Sequence, residues 1–361
     1  MWYDTPATQR LGIKYPIIQG PFGGGPSSVE LVSSVSNAGG LGSFGMQSLE
    51  PEQMIEVARQ IRQATSKPFA INLWMSNAQE TAPSPADVRQ AGALLHPYYA
   101  ELGGQVPDAP ERFIPDLGKQ LEAMLEIKPP VFSFVFGIPP AAVLAACRSS
   151  GIVTMGTATT AQEAKALEAA GVDCIVASGF EAGGHKGSFL RSAEESLTGI
   201  FSLIPQVVDQ VAIPLIAAGG VADARGVAAA LALGAHGVQM GTAFLACKES
   251  AATATHRNAL RTGYAGSTTL TKAFTGRLAR SMANRMTTEM NHCDSPVAPY
   301  PVQAWYMGSL AKLALSQGRE DFGSLSAGQS VSLTRHDSAR ALMDELIRET
   351  PNILSRACLR E

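Results

Sequence analysis

The chain has 361 residues, 45% of them hydrophobic and 16% charged, with a formal net charge of -3. A chain this long and apolar can bury a sizeable core, which argues against disorder, and the absence of a lysine and arginine run argues against a nucleic-acid surface. No stretch approaches the roughly 20 apolar residues of a membrane span and the N-terminus lacks an apolar signal core, so a cytoplasmic protein with no membrane contact is expected.

Taken in order, eight short apolar runs read as strands. They are Pro16 to Phe22, Gly40 to Gly45, Phe69 to Met75, Val131 to Gly137, Ile152 to Thr157, Cys174 to Gly179, Pro214 to Gly220 and Gly237 to Leu245. Alanine-rich segments of helical period lie between them, several opening on an N-cap residue or proline and closing on glycine. Strands apolar on both faces and joined by helical crossovers imply a parallel sheet, and eight βα repeats imply an α/β fold of the (β/α)8 TIM barrel type. An open doubly wound sheet is the competing arrangement. Two stretches break the repeat: an insertion after the third strand, 77–115, and a C-terminal extension, 277–361, ending in a helix near Ser338 to Arg348. Residues 1–276 are thus expected to form the barrel, and the two irregular stretches to shape the substrate end.

Five scattered cysteines (Cys147, Cys174, Cys247, Cys293, Cys358) form no CxxC pair and stand near no histidine at ligand spacing, so they read as core thiols of a reducing compartment, with no metal site. The basic cluster Arg277 to Arg285 reads as surface, and Lys186 as solvated.

In a barrel the chemistry lies where strands end. The first strand ends in Gln19, Gly20 and Pro21, the third carries Asn72, the sixth runs into Ser178 and Gly179, the seventh ends in Gly219 and Gly220, and the eighth carries Gln239, Met240, Gly241 and Thr242. Glycines after the last two strands suit a phosphate, because bare backbone N–H groups can reach the anion. They also suit plain tight turns. The amides of Gln19 and Asn72 suit a flat heterocycle at the other rim, so the mouth describes a long ligand of the shape of flavin mononucleotide (FMN). After the sixth strand, "EAGGHKG" brings the backbone close through Gly183 and Gly184 and presents His185, which can act as base or hydrogen-bond donor. His96, His236, His256, His292 and His336 read as structural. Phe22, Tyr98, Tyr99, Trp305 and Tyr306 are candidate walls of the substrate pocket.

Four motifs in barrel order, "PIIQGP" (Pro16 to Pro21), "NAGGLGSFG" (Asn37 to Gly45), "ASGFEAGGHKGSF" (Ala177 to Phe189) and "QMGTAFL" (Gln239 to Leu245), resemble those of nitronate monooxygenases, formerly 2-nitropropane dioxygenases, in their class I branch. The similarity runs from about Leu11 to the "AGQ" at Ala327 to Gln329. The resemblance implies a TIM-barrel flavoprotein with non-covalent FMN, oxidising alkyl nitronates with O2 to a carbonyl compound and nitrite. It carries the family's histidine onto His185, and FMN contacts onto Asn72, Gly183, Gly219 or Gly220, and Gln239 to Thr242. The chain departs from the family where Phe22 and Gly23 to Gly25 follow the first motif and where Trp74 replaces a smaller residue.

The principal alternative is an FMN-dependent NAD(P)H:quinone or enoyl reductase of the same barrel superfamily. A phosphate-binding lyase or isomerase would need a Schiff-base lysine or paired carboxylates at the mouth, which the strand ends lack. The expected partners are a small nitronate and O2; a homodimer is a candidate assembly.

Overall fold

Each apolar run contributes a strand in the computed structural model, which describes residues 1–75, 82–262 and 268–358, the side chains of 357 and 358 excepted. The strands are β1 (Ile17–Gln19), β2 (Gly42–Gly45), β3 (Phe69–Trp74), β4 (Val131–Val135), β5 (Val153–Ala158), β6 (Cys174–Ser178), β8 (Leu215–Ala218) and β9 (Gly237–Met240), with a short β7 (Gly184–His185) between the sixth and seventh barrel strands. All eight barrel strands are parallel, in the order β1-β9-β8-β6-β5-β4-β3-β2. The ring closes where Leu41 N donates to Ile17 O (3.0 Å) and Gln19 N donates to Leu41 O (2.9 Å). Only the first part of the eighth run is strand, because Thr242–Leu245 turn into a helix directly after it.

Local signals place the helices. Ser28, Thr160 and Asp223 cap helices Val29–Asn37, Ala161–Ala169 and Ala224–Ala232 by accepting from the backbone N–H of Leu31, of Glu163, and of Arg225 and Gly226 respectively. The apolar faces of these helices bury Leu31, Val32 and Val35, Ala164 and Leu167, and Val227 against the barrel. The last helix, Ala339–Cys358, is longer than the sequence suggests and packs back on helices Val29–Asn37 and Ala224–Ala232.

Residues 77–81 of the insertion lie outside the described residues. Its helix Pro85–Glu101 packs on helix Val302–Ser316, and Ala91, Leu95, Tyr99, Val302, Tyr306 and Leu310 share a second apolar core with Phe274 and Met286. The two stretches that break the βα repeat therefore cover one another. Strands β10 (Thr268–Thr271) and β11 (Ala279–Met282) form an antiparallel sheet with β7, pairing Ala279 with His185 and Arg280 with Gly184.

Three expectations are corrected. Arg280 is buried and Arg277 half-buried, so the basic cluster is not a surface patch; the strand pairing of β11 with β7 draws both inward. Lys186 is buried, because the loop folds around its side chain. Cys147, Cys174 and Cys247 are core thiols, whereas Cys293 is exposed beyond helix Arg285–Asn291. The side chain of Cys358 lies outside the described residues.

Candidate active site

A cleft of about 880 Å³ opens at the C-terminal ends of the barrel strands. It brings together Gly20, Pro21, Phe22, Asn72, Ser178, Gly183, Gly184, His185, Gly219, Gly220, Gln239, Gly241, Thr242 and Trp305 from the residues anticipated by sequence. The remaining six lie elsewhere. Gln19 is fully buried, where its Oε1 accepts from Ser43 N (3.0 Å) and its amide donates to the carbonyl of Gly20. Met240 is fully packed, and Gly179 is enclosed by Ile200 and Glu181. Tyr98 packs edge-on against Phe322, Tyr99 donates its hydroxyl to Tyr306 O (2.9 Å), and Tyr306 is buried beside it. These tyrosines serve the second core because their helices need an apolar face to cover one another.

One rim is bare. Gly219 (φ 106°) and Gly220 (φ 70°) take left-handed backbone conformations that residues with a Cβ rarely adopt, and a Cβ on Gly219 would stand 2.9 Å from Ala182 N. Segment 327–329 threads against this rim: Gly328 N donates to Thr242 Oγ1 (2.9 Å) and Gln329 N to Glu181 O (2.9 Å). At the opposite side Asn72 donates to Ser133 Oγ (2.9 Å), and Gln47 Oε1, buried in the cleft wall, finds no hydrogen-bond partner among the described residues. A bare glycine rim facing an unsatisfied acceptor and an amide fits a ligand with an anionic tail and a ring carrying N–H groups.

His185 sits in an aromatic corner. Its ring centroid is 4.7 Å from Trp74 and 6.0 Å from Phe136, both edge-on. Its Nε2 lies 2.8 Å from Thr275 Oγ1, whose hydroxyl donates to Arg277 O (3.3 Å). The guanidinium of Arg277 lies 3.8 Å from the ring centroid of Tyr300, 4.0 Å from Phe136 and 5.4 Å from Trp74. Phe136 itself has φ 72°, a strained conformation for an aromatic residue, immediately after β4. The imidazole keeps contact with the cleft while protein encloses its other sides, so loss of hydration, then Arg277 and Lys186, press its pKa down to about 3. The imidazole is neutral at physiological pH, and the protonated form admitted by sequence is disfavoured.

Gln47 and Phe136 stand just beyond β2 and β4, so the strand-end rule could have found them. Thr275, Tyr300 and Gly328 reach the cleft, and Arg277 the rings that wall it, from the chain after the eighth barrel strand, and no spacing in the sequence ties them to His185. His256 also lines the cleft, with Nε2 3.1 Å from Ser326 O. Among the described residues no cluster of three His, Cys, Asp or Glu side chains could hold a metal ion, and no helix is long and apolar enough to cross a membrane.

Comparison with known proteins bears on this geometry. The family model described as nitronate monooxygenase matches residues 4–349. A probable nitronate monooxygenase of Staphylococcus haemolyticus (strain JCSC1435) is 38% identical over 98% of this chain and 99% of its own, and a counterpart from Staphylococcus aureus (strain Newman) is 38% identical with the same coverage. The crystal structure of a nitroalkane oxidase from Streptomyces ansochromogenes superposes with a TM-score of 0.88 at 36% identity, covering 98% of this chain and all of the other. FabK from Thermotoga maritima superposes at 0.76 with 27% identity, covering 98% of each chain.

Proposed function

Because the chain belongs to the nitronate monooxygenase family and is an oxidoreductase, we propose that its cleft binds FMN and oxidises alkyl nitronates with O2 to a carbonyl compound and nitrite. Gly219, Gly220, Gly241 and Thr242 would hold the phosphate tail, and Asn72, Gln47 and Gln239 the ring, with Gln47 Oε1 accepting its imide N–H. When bound, FMN supplies the redox chemistry that moves electrons from the nitronate toward oxygen. The rest falls to the protein.

The observation that carries this reading is the neutral His185 beside Arg277. An imidazole whose conjugate acid has a pKa of about 3 is a poor acceptor for a carbon-bound proton, so it gives little help in deprotonating a neutral nitroalkane. A substrate that arrives as the nitronate needs no such step. The guanidinium behind Phe136 and Tyr300 sets a positive potential at the corner, which favours an anion there. Trp74, Phe136 and Tyr300 exclude water beside the imidazole and give the alkyl group an apolar wall.

The test is the spectrum of the purified protein before and after anaerobic addition of a small alkyl nitronate. A yellow protein whose flavin responds to nitronate and not to NADH supports the proposal. A colourless protein that takes up no FMN overturns it, and rapid bleaching by NADH alone favours the reductase. Replacing His185 with Asn should lower nitronate turnover far more than flavin content; equal turnover removes His185 from the reaction.

A further inference from the structure

The loop that presents His185 is folded around an ammonium group of its own. Lys186 Nζ donates back to Phe180 O (3.1 Å) and Ala182 O (2.5 Å), six and four residues earlier in the chain. Phe180 O accepts a second charged donor, Arg280 Nε at 3.1 Å, and the Arg280 guanidinium lies 4.9 Å from the Phe180 ring centroid. The outside of the loop is held too: Glu181 accepts from Ile200 N (3.0 and 3.1 Å), Lys186 N donates to Leu278 O (2.9 Å), and Gly184 and His185 pair with β11. Ala182, Gly183, Gly184 and His185 all line the cleft. The buried cation is therefore one peptide unit behind the cleft wall and directly next to the histidine in sequence.

An uncharged side chain of the same length would fill this volume without the penalty of burying an ammonium beside a guanidinium. What the ammonium adds is a charge-assisted bond to each of two carbonyls that no other group in the loop can draw together. We propose that Lys186 is a positioning residue: its charged form gathers the 180–182 turn and so holds residues 182–185, with the His185 ring, against the cleft. The role rests on the nitronate reading for its kinetic consequence but not for its structural one. Loss of hydration and the charge of Arg280 bring the Lys186 pKa down to about 7, with Glu181 acting in the opposite direction. His185 beside it is neutral, so the charged groups facing the ammonium are Arg280 from β11 and Glu181 from its own loop. A lysine whose folded-state pKa is lowered sheds its proton as pH rises through that value, so the charged clamp is complete below about 7 and weakens above it.

The test compares the flavin-loaded wild type with Lys186→Arg and Lys186→Met, by two measurements. The first is amide hydrogen exchange of residues 182–186 without substrate, corrected for the intrinsic pH dependence of exchange. The second is kcat/KM for an alkyl nitronate between about pH 6 and 9. In the wild type, exchange should quicken and kcat/KM fall about tenfold as pH rises through about 7, the scale of one charge-assisted bond. Lys186→Arg, charged throughout, should show neither change, and Lys186→Met should sit at the high-pH values at every pH. Equal exchange in wild type and Lys186→Met below about pH 7 overturns the proposal, as does a pH transition that persists in Lys186→Arg. If Lys186→Met does not fold, the wild-type and arginine profiles decide alone. A wild type that turns over no nitronate refutes the functional reading, and the exchange measurement still judges the clamp.

Discussion

Gly183→Ala is the sharpest probe of how the cleft is assembled. A Cβ built at Gly183 meets Ala327 C and Gly328 N at 2.6 Å and Ala327 Cα at 3.0 Å. All three are backbone atoms, so no side chain can swing away. Ordinary contact begins at 3.4 Å, so the two segments must separate by about 0.8 Å. The facing segment is not free to retreat, since Gly328 N is bonded to Thr242 Oγ1 (2.9 Å) and Gln329 N to Glu181 O (2.9 Å). Forcing an extra methyl into such a contact costs about 1–3 kcal/mol, and a comparable share falls on any ligand held between the two segments. Urea denaturation should report that loss of stability, and titration of apoprotein with FMN should report affinity lowered by about tenfold or more. Gly308→Ala is the control. It sits in the interior of helix Val302–Ser316 with nothing within 4 Å of the added methyl, and should stabilise by up to about 1 kcal/mol. Wild-type stability and FMN affinity in Gly183→Ala would refute the claim that segment 327–329 is a wall of the site.

Two further predictions concern charge. Arg277→Met removes the cation from between Phe136 and Tyr300, so the protein should lose about 1–2 kcal/mol, and the His185 pKa should rise from about 3, followed by the NMR shift of its ring protons. In the wild type the folded imidazole takes up its proton near 3 and the unfolded one near 6.5, so stability present above pH 6.5 is progressively lost as pH falls toward 3; the substitution should narrow that window, and an unchanged pH dependence of unfolding would contradict it. Glu163→Gln tests the scaffold beside the histidine loop. The fully buried carboxylate accepts from Thr159 N (2.7 Å), Thr159 Oγ1 (2.8 Å), Phe189 N (2.6 Å) and Leu190 N (3.0 Å), and an amide must turn an NH2 group toward some of these donors. Chemical denaturation should show a loss of about 2–3 kcal/mol.

Local patterns made the barrel legible. All eight apolar runs became strands, because a strand buried on both faces must be apolar throughout and its helical crossover must carry a 3.6-residue stripe. The glycine rim and His185 were legible for the same kind of reason: position at a strand end is a local property. Gln19 lies outside the cleft because alternation along β1 sets it on the side opposite Ile18, paired with the packed Met240, and its amide is taken up by Ser43 N and Gly20 O. Tyr98, Tyr99 and Tyr306 were misplaced because the mutual packing of helices Pro85–Glu101 and Val302–Ser316 is invisible one segment at a time.

By itself, then, the order of residues determined the ring of strands, the bare glycine rim and the histidine at the sixth strand's end, all of which follow from periodicity and from where glycine falls. The charge state of that histidine was decided only in three dimensions. It depends on Arg277, 92 positions away, being pressed between Phe136 and Tyr300, and on Lys186 turning inward to its own loop's carbonyls. Electrostatic energy depends on distance through space and on hydration, and neither quantity is written in the spacing of residues along a chain.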